Sequence, residues 1–176
     1  NMVCGSGMKR VMDAAAHIKA GDADLIVAAG AENMSQIPFS VSAKIRDGQK
    51  MGNMEMTDLL IADGLTDVFN DYHMGVTAEN VVAHVGLNRE QQDQFALASQ
   101  QKAVAAIEAG KFTDEITPVE VTVRRKTQVI DTDEYPKSDA TLENLAKLRP
   151  AFKKDGSVTA GNASGINDGA SAIILA

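Results

Sequence analysis

Met8, Val11, Met12, Ala15 and Ile18 recur at helical spacing. They predict a helix running to Ala20 with those residues on one buried face. Lys9, Arg10, Asp13 and His17 fall largely elsewhere on it, and Gly21 supplies the left-handed residue that ends many helices. Ahead of this helix, the chain from Asn1 reads as the end of a strand followed by a glycine turn. Leu25 to Ala29 is a short apolar run, with Asp22 and Asp24 before it and Gly30 after it. A helix followed by such a run implies a βαβ unit whose sheet is covered on both faces.

The pattern weakens from Ser35 to Asp71. Glycines, methionines and polar residues alternate there, as in Lys50-Met51-Gly52-Asn53-Met54-Glu55-Met56. So long an irregular stretch is an excursion from the core rather than a connector. Two helices are expected next. The first spans Thr77 to Val85, with Thr77 as N-cap. The second starts at Asn88, with Gln91 three residues on as in a capping box, and runs to Gly110. Phe95, Ala98, Ala106 and Ala109 form its apolar stripe; Ser99 and Lys102 interrupt it, so partial burial is expected. Val119, Val121 and Val123 alternate with Glu120 and Thr122, the mark of a half-buried strand. Asp131 to Ala140 is polar and turn-rich. Ala170 to Ala176 is a second apolar strand. The two apolar strands bracket the chain, so the middle reads as an insertion into one α/β layer.

Composition changes this picture little. The 176 residues are 44% hydrophobic and 23% charged, ordinary for a globular protein. A formal net charge of -7 opposes nucleic-acid binding overall, while leaving room for a small anion on a local basic patch. No apolar run is long enough to cross a bilayer, so no membrane partner is expected. The single cysteine forbids an intrachain disulfide, and with it the chain reads as cytoplasmic. Three scattered histidines and one cysteine give no zinc spacing, so no metal is expected.

The candidate chemistry centres on Cys4, which stands before Gly5-Ser6-Gly7 and the first helix. A helix N-terminus favours the thiolate form of a thiol placed there. The glycines let a substrate approach and let amides point at a developing oxyanion. Taken alone, one cysteine in an apolar region more often packs than reacts. The same turn could open a dinucleotide fingerprint, but that needs a glycine where Arg10 stands, and no Walker lysine follows.

Asn1-Met2-Val3-Cys4-Gly5-Ser6-Gly7-Met8-Lys9 resembles the nucleophile segment of thiolases. Gly30-Ala31-Glu32-Asn33-Met34-Ser35, His73-Met74-Gly75-Val76-Thr77-Ala78-Glu79-Asn80, Leu148-Arg149-Pro150-Ala151-Phe152 and Thr159 to Ala170 resemble further segments of that family, in order. The second of these is similar to the acetoacetyl-CoA thiolases, the acetyl-CoA acetyltransferase branch. The resemblance covers the whole chain. It implies an α/β enzyme of layered αβαβα fold, two similar halves plus a loop domain. Residues 1–35 and 166–176 would belong to the N-terminal core domain and 36–165 to a CoA-binding loop domain, with the C-terminal domain absent. Cys4 would carry the acyl group as a thioester. Acetyl-CoA, acetoacetyl-CoA and CoA would be substrates, with no separate cofactor.

Leu65, His73, Met74, Ala160 and Ser164 match positions that line the CoA and acyl pocket in the family. Lys137 falls where related enzymes often carry an arginine near the CoA nucleotide; lysine keeps the charge and loses the planar fork. His17 and His84 carry no site role. The family's Asn-Glu-Ala-Phe segment, Gly-His-Pro histidine and second cysteine are not in this sequence, so this piece alone is expected not to turn over. The resemblance also implies a homo-oligomer, dimer or tetramer, with Met51, Met54 and Met56 as candidate contacts. Three alternatives stand beside this reading: a broad-range 3-ketoacyl-CoA thiolase, a condensing enzyme of fatty-acid or polyketide synthesis, which lacks so long a loop domain, and a noncatalytic CoA- or lipid-binding module.

Overall fold

The structure, a computed structural model, describes residues 2–176. The chain divides into two compact units. One holds the residues up to Tyr72 together with Ile166–Ala176, and the other holds His73–Gly165.

In the first unit, α1 (Ser6–Ala20) ends at Gly21, whose φ of 79° is left-handed and whose amide donates to the His17 and Ile18 carbonyls. Ala14 is its buried residue, flanked by half-buried Val11, Ala15 and Ile18. This corrects the expected stripe: Met8 and Met12 are 74% and 58% exposed. The small side chain of Ala14 marks the inner face because α1 lies close on β1 (Ile26–Asn33). Gly30 of β1 faces Gly7 of α1, where a Cβ on Gly30 would stand in ordinary contact with the Gly7 Cα, at 3.8 Å.

β1 pairs along its full length with β8 (Asp168–Leu175). The two strands that bracket the chain are therefore sheet neighbours, as the insertion reading expects. The pair is antiparallel, with Ile26 opposite Leu175 and Asn33 opposite Asp168, rather than the parallel pair of a βαβ unit. Ahead of α1 lies a 3-10 turn, Val3–Gly5, where the glycine turn is expected; Asn1, at the expected strand end, lies outside the described residues. Val27, Ile173 and Ile174 of the pair are exposed, and α1 is the helix of this unit that packs on it; cover on both faces is not expected of this piece alone.

Where the chain leaves β1, the Ser35 amide donates to Asp168 Oδ1 at 2.9 Å and the Ser35 hydroxyl donates to Oδ2. These bonds, the hydroxyl's first, hold the Asp168 carboxyl below its ordinary range. The excursion between is built from short pieces. β2 (Phe39–Ser40) pairs with β3 (Thr57–Asp58), and a π-helical turn, Leu60–Gly64, precedes β4 (Thr66–Asp67). The Gln49 amide donates to the Gly52 and Asn53 carbonyls, and Met51, Met54 and Met56 stay exposed.

β5 (Tyr72–His73) leads into α2 (Met74–Val85). This helix starts three residues before the expected Thr77, because His73 caps it: Nδ1 accepts from the Gly75 amide at 2.9 Å. α3 (Arg89–Glu108) opens with the expected capping box, Asn88 and Gln91 each bonding the other's backbone. Its inward residue is Asp93; Phe95, placed in the apolar stripe by spacing, is 79% exposed. β6 (Val119–Val123) forms a hairpin with β7 (Lys126–Ile130), and only Val121 of its three valines is half-buried. α4 (Leu142–Ala146) buries Leu145. No helix of the described residues is long and apolar enough to cross a membrane.

Candidate active site

Cys4 sits in the middle of the Val3–Gly5 turn, exposed and free of any disulfide. The Gly5 amide donates to the Met2 carbonyl at 3.0 Å and the Ser6 amide to the Val3 carbonyl, which closes the turn. α1 begins at the next residue, so its first turn follows directly on the turn that holds the cysteine. No acidic residue lies in that first turn to offset its partial positive charge. Gly5 has a negative φ of -83°, and the left-handed residue is instead Val3, at 49°. A β-branched side chain at positive φ is an outlier that the surroundings must hold in place.

Leu65, half-buried, follows the π-helical turn and its amide donates to the Ile61 carbonyl at 3.1 Å. It belongs to the first unit with Cys4. The remaining candidates belong to the second unit.

His73 is fixed from two sides there. Its Nδ1 accepts the Gly75 amide, so the proton of the neutral ring is on Nε2. Its face stacks on Phe152, centroids 4.8 Å apart and planes 21° from parallel. The Phe152 ring presses so closely on Gly75 that any Cβ there would overlap it. Met74, the first residue of α2, is 38% exposed.

Phe152 leads into the segment that carries Ala160 and Ser164. The Ala151 amide donates to the Val158 carbonyl at 2.9 Å. The segment is held from beneath by two buried carboxylates. Glu79 of α2 accepts the Ser157 and Val158 amides, each at 2.8 Å. Asp93 of α3 accepts the Asn162 amide group at 2.9 Å and pairs with Arg89 Nε at 2.7 Å. Asn162 Oδ1 in turn takes the amide of Thr159, a fully buried residue, at 2.7 Å. Gly161 lies against Leu145 and Leu148, where a Cβ would stand 2.5 Å from each. Ala160 and Ser164 are left exposed. The segment thus has a buried polar underside and offers small side chains outward, a form suited to lying along an extended ligand.

Lys137 is exposed, and its amide donates to Gln100 Oε1 at 2.8 Å. That bond ties its backbone to α3. Glu79, Asp93 and Asn162 were not read from the sequence as support for this site. Glu79 and Asn162 stand inside segments that carry the family resemblance, and Asp93 had as its signal Arg89 four residues before it on the same helix face. Among the described residues no three His, Cys, Asp or Glu form a metal-ligating group.

The model of the thiolase N-terminal domain matches residues 1–176, and the chain belongs to the thiolase family. It is 57% identical over 176 residues to an acetyl-CoA acetyltransferase of Pseudomonas aeruginosa, covering 99% of this chain and 44% of that protein. An Escherichia coli acetyl-CoA acetyltransferase is 55% identical over 175 residues, with the same coverage. The chain thus spans less than half the length of these curated relatives. Among solved structures, the Bacillus anthracis acetyl-CoA acetyltransferase superposes with a TM-score of 0.90 at 46% identity, over 97% of this chain and 43% of that one. The human mitochondrial 3-ketoacyl-CoA thiolase gives 0.89 at 42% identity, with the same coverage. The fold is that of the N-terminal part of an α/β thiolase.

Proposed function

We propose that this chain is the N-terminal part of an acetyl-CoA acetyltransferase, which cleaves acetoacetyl-CoA with CoA or condenses two acetyl-CoA. Cys4 carries the acyl group. The observation that carries this is the exposed Cys4 in a constrained turn at the start of α1, inside a chain that matches acetyl-CoA acetyltransferases along its whole length. The Cys4 thiolate attacks the keto carbon of acetoacetyl-CoA. The carbon–carbon bond breaks, and acetyl-CoA departs once its enolate carbon takes a proton, which is returned when the incoming CoA thiol gives up its own on attacking the thioester. Free CoA then takes the acetyl group from sulfur, and Cys4 is restored. A thiolate serves both steps as nucleophile and as leaving group.

Leu65, His73, Met74, Ala160 and Ser164 would line the CoA and acyl site, with Lys137 toward the nucleotide. Residues 1–35 with 166–176 would act as core and 36–165 as the CoA loop domain. A homo-oligomeric, cytoplasmic enzyme without a separate cofactor completes the reading, with the exposed Met51, Met54 and Met56 as subunit contacts. The test is to mix the enzyme, at the full length of its relatives, with acetyl-CoA and digest it. An acetyl group on the Cys4 peptide is expected; acetylation elsewhere with Cys4 free sinks the assignment.

The broad-range 3-ketoacyl-CoA thiolase remains the second reading, favoured by the superposition on the human enzyme. Met74 separates the two. Its side chain is long and partly exposed at the head of α2, and on this reading it would fill space that a longer acyl tail needs. Displacing it costs roughly 1–3 kcal/mol, or about 5- to 150-fold in rate. The full-length enzyme should therefore prefer a four-carbon to an eight-carbon 3-ketoacyl-CoA in kcat/KM, and Met74→Ala should narrow the gap. Equal values in the unmodified enzyme favour the broad-range reading.

A further inference from the structure

Val3 stands immediately before Cys4 in a left-handed conformation, with φ of 49°. Valine does not rest there unaided. The Ser6 hydroxyl spans the residue: Oγ accepts the Met2 amide at 2.9 Å and donates to the Val3 carbonyl at 2.8 Å. The Ser6 backbone amide binds the same Val3 carbonyl. One side chain two residues past the cysteine therefore grips the chain before the cysteine. Ser6 is itself half-buried, while Cys4 is exposed.

We propose that Ser6 is the positioning residue of the nucleophile: its hydroxyl holds Val3 left-handed and so fixes where the Cys4 thiol is presented. This rests on Cys4 as the acyl-carrying residue. Ser6 acts through the backbone, and no proton transfer is asked of it. Without the hydroxyl, Val3 relaxes toward negative φ, and a rotation at that residue swings the next Cα and its side chain. A displacement of about 1 Å at a reacting atom costs on the order of 100-fold.

The experiment compares Ser6→Thr with Ser6→Val in the full-length enzyme, alongside Ser6→Ala. Threonine and valine have nearly the same shape and differ in the hydroxyl. Ser6→Val and Ser6→Ala should lose roughly 10- to 100-fold in kcat, with KM for acetoacetyl-CoA changed about twofold or less. Alkylation of Cys4 by iodoacetamide should slow in both. Ser6→Thr should stay within about threefold of the unmodified enzyme on both readouts, since it restores the clamp. Equal behaviour of the threonine and valine variants overturns the proposal, as does an unchanged kcat in Ser6→Ala. A Cys4→Ala enzyme that still turns over strikes the underlying reading instead, and the two failures are told apart by that control.

Discussion

Cys4→Ala in the full-length enzyme is expected to lower kcat for acetoacetyl-CoA thiolysis by on the order of 10⁴-fold or more. Removing the nucleophile from a site whose groups act as a unit costs that much or more elsewhere. No covalent intermediate can form, so the carbon–carbon cleavage loses its stepwise route. Cys4→Ser keeps a heteroatom but replaces a soft, readily ionised nucleophile with a hydroxyl that needs a strong base, so a large loss is expected there too. Neither change should disturb folding. Cys4 is exposed and unbridged, and the turn around it is closed by backbone bonds and by Ser6. Thermal unfolding of both variants should therefore match that of the unmodified enzyme. Near-normal turnover by Cys4→Ala would remove the thioester mechanism, and with it the acyltransferase reading.

Much of the fold was legible in the sequence because its signals were local. Gly21 ends α1 as a left-handed residue, and the Asn88–Gln91 capping box opens α3, each read from a few neighbouring residues. The pairing of the bracketing strands followed from their apolar character, but their direction did not, since periodicity carries no parallel or antiparallel sign. β7 was missed altogether. Its hairpin turns through Arg124 and Arg125, at φ of 50° and 68°, where Asn-Gly is the usual pair. The start of α2 was set by an unusual cap, the His73 ring, instead of Thr77. At the site, Cys4 and its glycine turn stand together in sequence. Leu65, His73, Ala160 and Ser164 were named only through the family resemblance, since nothing local marks them as ligand-binding. Phe95 and Asp93 show the remaining difficulty. Spacing put the aromatic residue inward, and tertiary partners put the carboxylate there instead.

Asp93→Ala is the stability prediction with the largest expected effect. Asp93 is 3% exposed and serves two cationic or amide donors at once, Arg89 Nε at 2.7 Å and Asn162 Nδ2 at 2.9 Å. Alanine leaves the Arg89 guanidinium its bond to the Leu145 carbonyl and the Asn162 Nδ2 its bond to the Ser157 carbonyl. Breaking a buried ion pair from one side costs about 3–5 kcal/mol. Arg89 keeps 26% of its side chain in solvent, which screens the loss, so about 3 kcal/mol is expected. Asp93→Asn keeps an acceptor for Asn162 and loses the charge, so it should cost less. The damage should reach function in a particular way. Asn162 also takes the Thr159 amide and so shapes the segment that exposes Ala160 and Ser164. Loosening it should raise KM for CoA substrates more than it lowers kcat, because no reacting group moves. Asn162→Ala should be non-additive with Asp93→Ala, with a coupling of about 0.5–3 kcal/mol. The measurement is the urea midpoint of the full-length enzyme and its variants, with kcat and KM taken on the same preparations. An unchanged midpoint in Asp93→Ala, or additive losses in the pair, would show that α3 does not hold this segment.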